Sequence, residues 1–245
     1  MGSREVPEGA EAEDLGRWLR DSPILNVERM PWGSNAVFLV RLDGPAGELL
    51  AVYKPARGER PLWDFPSGTL HRREVATNVV DHALGWRFTP TTVLREVGPF
   101  GEGSIQEFIP DPPRDLDLDT EQMESSLRGI AALDVLINNA DRKQAHLLVD
   151  PQGGLRGIDH GVTFHTDFKL RTALIDLGGT PVPPLWLGAV SELLSDQARL
   201  AMLRRALQPL LDSAEIKAFE RRATALVTEG TYPELHQWHG RPFEW

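Results

Sequence analysis

The residue types that can do chemistry concentrate in residues 133–164, LDVLINNADRKQAHLLVDPQGGLRGIDHGVTF. This stretch reads as a helix, a polar loop, a strand, a turn, a second short strand and a second polar loop. The first loop carries Asp141, Arg142, Lys143 and His146; the second carries Asp159, His160 and Gly161. Two carboxylates at the edges of one hairpin suit phosphoryl transfer. One can orient an attacking hydroxyl while the other holds Mg²⁺ against nucleotide phosphates. Aspartate is also a common turn residue, because its side chain accepts from local backbone N–H groups. The stretch alone leaves both readings open, and the upstream sequence decides between them.

These loops need elements to hold them. A helix over 120–138 leads into the first, with Met123, Leu127, Ile130, Ala131 and Val135 at helical spacing. Upstream, a short helix over 13–19 puts Leu15, Trp18 and Leu19 on one face. Strands over 24–30, 36–42 and 48–54 follow as an antiparallel meander, and Pro31, Trp32, Gly33, Ser34 and Asn35 form its first connection. Lys54 closes the third strand. Residues 55–68 hold too many Pro and Gly for regular structure. A helix over 70–84 then carries Glu74 in its second turn and stops at Gly85. Strands over 91–96 and 103–109 come next, then a proline-rich linker over 110–119. Three amphipathic helices are expected over 186–194, 196–211 and 213–227, and the tail with Trp238 and Trp245 is expected to pack on them. The architecture is therefore α+β. A β-rich N-terminal lobe (1–109) with one helix is joined by the linker (110–119) to a mainly helical lobe (120–245) containing the two-acid hairpin.

Composition narrows the function classes. A formal net charge of −10 and a pI near 5.2 argue against a general nucleic-acid binder, which would show a basic field. With no cysteine, thiolate catalysis, disulfides and Cys-based zinc sites are excluded. No apolar run reaches the roughly 18 residues of a membrane span, and the acidic first residues lack the apolar core of a signal peptide. A cytoplasmic location is the expectation.

The order of parts resembles that of the protein-kinase-like superfamily, and the physical tasks map onto it. Gly33, Ser34 and Asn35 are small enough for backbone N–H groups in the first turn to approach phosphates. Lys54 can reach the α- and β-phosphates, and Glu74 can hold that lysine by an ion pair. Glu107, Phe108 and Ile109 fall where a hinge offers backbone groups to the adenine edge. Four stretches make the likeness specific: VYKP (52–55), GERPLWDFPSGTLHRREVA (58–76), INNADRKQAHLL (137–148) and GIDHGVTF (157–164). On these the chain resembles the compact, mainly actinobacterial branch of the phosphatidylinositol 3-/4-kinase-like family, and more distantly HipA-type kinases. The resemblance implies a two-lobed kinase-like fold, ATP, and Mg²⁺ or Mn²⁺. It also implies Asp141 as the residue that orients or deprotonates the acceptor hydroxyl, and Asp159 as the metal ligand equivalent to the aspartate of the protein-kinase DFG.

One departure bears on mechanism. The family's D-R-H-x-x-N loop ends in a metal-binding asparagine, whereas this chain has DRKQAH over 141–146. His146 stands in the asparagine's place, and Lys143 replaces the histidine. Imidazole suits transition metals and Mg²⁺ prefers oxygen. His146 is expected to select Mn²⁺, to contact a phosphate, or to mark weakened catalysis. Lys143 is placed to neutralise charge on a transferring phosphoryl group. Asp134 and His160 read as structural. Arg57 and Arg60, near Trp63, read equally as phosphate or substrate contacts and as a solvated loop. The expected activity is ATP-dependent phosphorylation of an unidentified hydroxyl on a small molecule, a protein or an inositol lipid. The alternatives are a nucleotide-binding pseudokinase with a regulatory role, and AMP transfer to protein on the same fold.

Overall fold

In a computed structural model of the protein, residues 12–31, 35–44 and 47–235 are described. Trp32, Gly33, Ser34, Trp238 and Trp245 lie outside the described residues, so of the expected phosphate-covering triplet only Asn35 is placed.

Alternation builds the sheet. Val40 and Leu42 of β2 (Phe38–Gly44) stand opposite Ala51 and Leu49 of β3 (Gly47–Pro55), and Tyr53 of β3 stands opposite Ile105 of β5 (Gly103–Glu107). All six side chains are buried. With β1 (Ile24–Arg29) and β4 (Thr92–Arg95) the sheet is antiparallel in the order β1-β2-β3-β5-β4. Leu15 and Leu19 of α1 (Ala12–Asp21) close one small core on this sheet. The expected meander is present. The last strand stops at Glu107 rather than 109, although Phe108 still donates its N–H to Leu50 O at 3.4 Å.

The larger core gathers the helices. Val75, Ala76, Val80 and Leu84 of α2 (Leu70–Leu84) pack with Ile130, Leu133, Leu136 and Ile137 of α3 (Thr120–Ile137). The same cluster takes in Leu193 of α4 (Pro184–Ser195), Leu203 and Leu207 of α5 (Gln197–Leu207), and Phe219 of α6 (Ser213–Glu229). The hairpin β6 (Leu147–Val149) and β7 (Leu155–Gly157) lies between the two loops as expected. α5 ends four residues before the expected 211, because Pro209 has no N–H to continue the ladder. Among the described residues no helix is long and apolar enough to cross a membrane.

α2 buries polar side chains as well as apolar ones. His71, Arg73, Glu74, Thr77, Asn78 and Asp81 are buried along with its apolar residues. Buried polar groups need partners, and these have them. Asn78 Nδ2 donates to Thr89 Oγ1 at 2.8 Å, and Asp81 accepts from Phe88 N, Thr89 N and Thr89 Oγ1. Gly85, at φ +73°, ends the helix where expected.

One histidine ties down the irregular connection after β3. Glu59 accepts from the backbone N–H groups of Leu70 and His71 at the start of α2 and meets His71 Nδ1 at 2.6 Å. His71 Nε2 is 3.0 Å from Glu102, just before β5. Burial alone would push the His71 pKa down, but hydrogen bonds to Glu59 and Glu102 carry it above 6.5. Glu59 is lowered in turn, its bonds to His71 outweighing the effect of burial. The His71 contribution to stability is therefore complete below pH 6.5 and is lost as pH rises through the higher folded value. The Glu59 contribution is present above pH 4.5 and is lost as pH falls through its lower folded value. Thermal unfolding across this range is expected to show a loss of stability on the alkaline side of pH 6.5 that is weakened in His71→Gln. An alkaline limb unchanged by the substitution would assign it to other groups.

Candidate active site

Strand alternation turns Lys54 to the face opposite Tyr53, over α2. Its ammonium donates to Glu74 Oε1 at 2.5 Å and to Asp159 Oδ1 at 3.3 Å. Burial opposes the charge on this lysine, but the two carboxylates raise its pKa well above the ordinary value. Asp159 shifts the other way. The Lys54 charge holds its carboxyl far below the usual range, against the effect of burial. The second oxygen of Glu74 accepts the His160 N–H at 3.1 Å. One glutamate thus fixes both the lysine and the backbone beside Asp159. Asp159 itself stands in the left-handed region at φ +61°, which Asp and Asn tolerate better than most residues.

On the other side of Asp159, His146 Nε2 is 3.4 Å from Oδ2. Burial lowers the His146 pKa in spite of Asp159, so the ring is neutral at pH 7. Its Nδ1 accepts the Lys143 N–H at 3.4 Å, which leaves the ring proton to Nε2. Asp141 is next in the loop. Burial raises its pKa against the ammonium of Lys143, whose Nζ is 3.1 Å from Oδ2. Lys143 is therefore the immediate partner of Asp141.

A buried scaffold lies beneath these groups. Arg142 is completely buried and bonds Asp134 through Nε and Nη2, both at 2.9 Å. Its Nη1 donates to Ile158 O at 2.8 Å, and Nη2 also donates to His160 Nε2 at 2.6 Å. His160 is neutral, its pKa pushed far down by burial and by Arg142. A single guanidinium thus joins the Asp141 loop to the Asp159 loop. Asp134 was expected to hold loop backbone from the helix end; it holds this side chain and also accepts from Asn139 Nδ2 at 2.9 Å.

Two asparagines that carried no expected role complete the frame. Asn138 ends α3 in the left-handed conformation at φ +55°, and its amide bonds His165 O, Asp167 O and Lys169 N. Asn139 Oδ1 accepts the Asp141 N–H at 3.0 Å. Consecutive asparagines at a helix end were the available signal, since Asn readily takes the left-handed cap.

The remaining expected residues sit at the margins. Asn35 Oδ1 accepts from Arg60 N at 2.8 Å, tying the first turn to the loop after β3. The Glu107 N–H donates to Thr91 O, and its half-buried side chain, raised in pKa by desolvation, accepts from Thr91 N at 3.2 Å. The N–H groups of Glu107 and Phe108 are therefore used within the sheet, and Ile109 is the next residue along. Trp63 is 91% exposed, with the Lys169 ammonium 4.9 Å from its ring centroid and paired to Asp64 at 2.8 Å. Among the described residues no group of three or more His, Cys, Asp or Glu could hold a metal ion. Mg²⁺ commonly uses one or two protein carboxylates together with substrate phosphates, and Asp159 fits that requirement.

No protein-family model matches the chain. It is 34% identical over 263 aligned positions to Protein Rv2133c of Mycobacterium tuberculosis (strain ATCC 25618 / H37Rv), spanning 93% of each chain. Among solved structures it resembles the Golgi casein kinase with Mn/ADP bound, at TM-score 0.62 and 19% identity, covering 89% of this chain and 74% of that one. It resembles hydra Fam20 with sugar at TM-score 0.64 and 16% identity, covering 91% and 90%. The Helicobacter pylori proinflammatory kinase CtkA follows at TM-score 0.54 and 8% identity, covering 87% and 94%. At such identities the likeness shows the fold, which is kinase-like with an antiparallel-sheet lobe and a helical lobe.

Proposed function

The chain belongs to the same family as Protein Rv2133c, and we propose that it is an ATP- and divalent-metal-dependent phosphotransferase acting on a hydroxyl acceptor. The observation that carries this reading is the Lys54 ammonium, shared by Glu74 at 2.5 Å and Asp159 at 3.3 Å. A strand-borne lysine, fixed by the next helix and facing an acidic loop, is what binding of nucleotide phosphates requires. The Mn and ADP named with the Golgi casein kinase structure support the same cofactors here. A divalent cation held by Asp159 would supply charge neutralisation on the phosphates.

The chain's own residues take the remaining work. Lys54 binds the α- and β-phosphates, and Glu74 keeps it in register. Asp141, with its pKa raised by burial, orients the acceptor hydroxyl and accepts its proton, while Lys143 offsets charge on the transferring group. Gly33, Ser34 and Asn35 cover the phosphates. Adenine contacts fall to Ile109 and to the carbonyls of Glu107 and Phe108. The division into a roof lobe over 1–109, a linker over 110–119 and a lobe over 120–245 belongs to this reading. So does the closer relationship to phosphatidylinositol 3-/4-kinase-like proteins, which rests on the four matching stretches. The acceptor is a small molecule, a protein or an inositol lipid.

His146 supports a second reading. Its Nε2 lies 3.4 Å from Asp159 Oδ2 in the place of a metal-binding asparagine, an arrangement that also suits a nucleotide-binding regulator without turnover. ADP formation by the purified protein with Mg²⁺ or Mn²⁺ separates the two. Metal-dependent ADP formation is the expected result. ATP-dependent thermal stabilisation without turnover over an acceptor panel would establish the regulator instead, and neither turnover nor binding would overturn both readings. His146→Asn is expected to lower turnover about tenfold with an unchanged Mn²⁺/Mg²⁺ preference, because Asp159 loses the imidazole beside it. A shift toward Mg²⁺ would make His146 a metal ligand.

A further inference from the structure

Arg73 immediately precedes Glu74 on α2, and its side chain is almost fully buried at 1% exposure. Its Nη2 donates to Glu215 Oε1 at 2.5 Å, and its Nη1 donates to Thr163 O at 2.6 Å. Its Nε donates to Thr69 Oγ1 at 3.3 Å, and its guanidinium lies 5.0 Å from the Phe65 ring centroid. Glu215 is in the first turn of α6, where its other carboxylate oxygen accepts from Asp212 N at 3.0 Å in a capping box. Thr163 Oγ1 in turn donates to His160 O at 2.8 Å. One guanidinium therefore spans the loop before α2, the loop after Asp159 and the start of α6.

We propose that the buried Arg73–Glu215 pair is a positioning device that keeps Glu74 engaged with Lys54 without any ligand or modification, so that the site is permanently assembled. The physical reason is the cost of withdrawal. If α2 swung away from the helical lobe, Arg73 would leave with it and Glu215 would lose its buried partner, and breaking a buried pair in this way is strongly unfavourable. Val75, Ala76, Val80 and Leu84 would also leave the core they share with α3, α4 and α5. A helix held on so many sides has no second resting place. The consequence for catalysis rests on the phosphotransferase reading, but the positioning does not.

The test reads Lys54 directly, so it remains decisive if the protein turns over no ATP. Nucleotide-free protein is acylated briefly with acetic anhydride, and Lys54 modification is followed by mass spectrometry at a temperature where all variants are folded. Arg73→Gln and Glu215→Gln are expected to raise the Lys54 rate about fivefold, because an amine no longer tied to Glu74 is open to the reagent. Arg73→Lys, which keeps the charge, is expected to restore most of the protection. Leu226→Ala, a core deletion at the far end of α6, is expected to leave Lys54 at the wild-type rate, separating positioning from general loss of stability. If ATP is turned over, the two Gln variants should raise KM for ATP more than they lower kcat. Wild-type Lys54 reactivity in folded Glu215→Gln would overturn the proposal, even if Arg73→Gln failed to fold. A rise in Leu226→Ala equal to that in the Gln variants would overturn it as well.

Discussion

Asp159→Asn is expected to lower ATP turnover by about a hundredfold or more while leaving the fold and nucleotide binding largely in place. The size follows from the proposed role, in which Asp159, 3.3 Å from the Lys54 ammonium, would hold the metal against the phosphates, where charge stabilisation is worth several kcal/mol. The fold survives because asparagine tolerates the φ of +61° at this position as aspartate does. Binding survives because Lys54 keeps its 2.5 Å bond to Glu74. Steady-state ADP formation and ATP-induced thermal shift, measured side by side, check both halves. Turnover equal to wild type would remove Asp159 from the mechanism. Loss of the thermal shift together with turnover would make its role binding rather than catalysis.

Asp134→Ala is expected to cost about 3–5 kcal/mol of unfolding free energy, the penalty for leaving a buried charge without its partner. Arg142 has no exposed surface, and Asp134 takes both of its 2.9 Å bonds. Water cannot replace the carboxylate there, and Asn139 loses an acceptor as well. The measurement is denaturant unfolding of variant and wild type. A loss below about 1 kcal/mol would show that the scaffold relaxes around the vacancy. Replacing both partners with apolar residues is expected to recover much of the stability, since no charge then remains stranded. Activity should not return with it, because the Asp141 and Asp159 loops would have lost the guanidinium that spans them.

Much of this was legible along the chain. An alternating pattern marked β1 and a strongly β-forming run marked β2, Gly85 marked the end of α2, and a proline-rich stretch separated the sheet from α3 and the helices after it. Lys54, Glu74, Asp141, His146 and Asp159 stood out through the order of parts and the stretches that resemble a kinase-like family, and the structure brings these five together. The hinge was less legible. Backbone N–H groups in a strand are claimed by whichever neighbour pairs with it, so the N–H groups of Glu107 and Phe108 went to Thr91 and Leu50. His146 was read by its position in a loop motif, whereas its proton placement depends on the Lys143 N–H beside it.

Local chemistry resides in short windows, so sequence alone was enough to determine which segments form strands and helices, and which polar residues sit at their ends. Partnership between distant charges has no window. Arg73 and Glu215 are 142 residues apart, and each looks like an ordinary solvated helix residue until α2 and α6 come together. Arg142 likewise reads as a loop cation, and only closure of α3 against the β6–β7 hairpin removes it from water and gives it Asp134 and His160. Tertiary structure decided which charges are buried, because burial depends on how elements stack, and burial in turn decided which ion pairs could hold the site rigid.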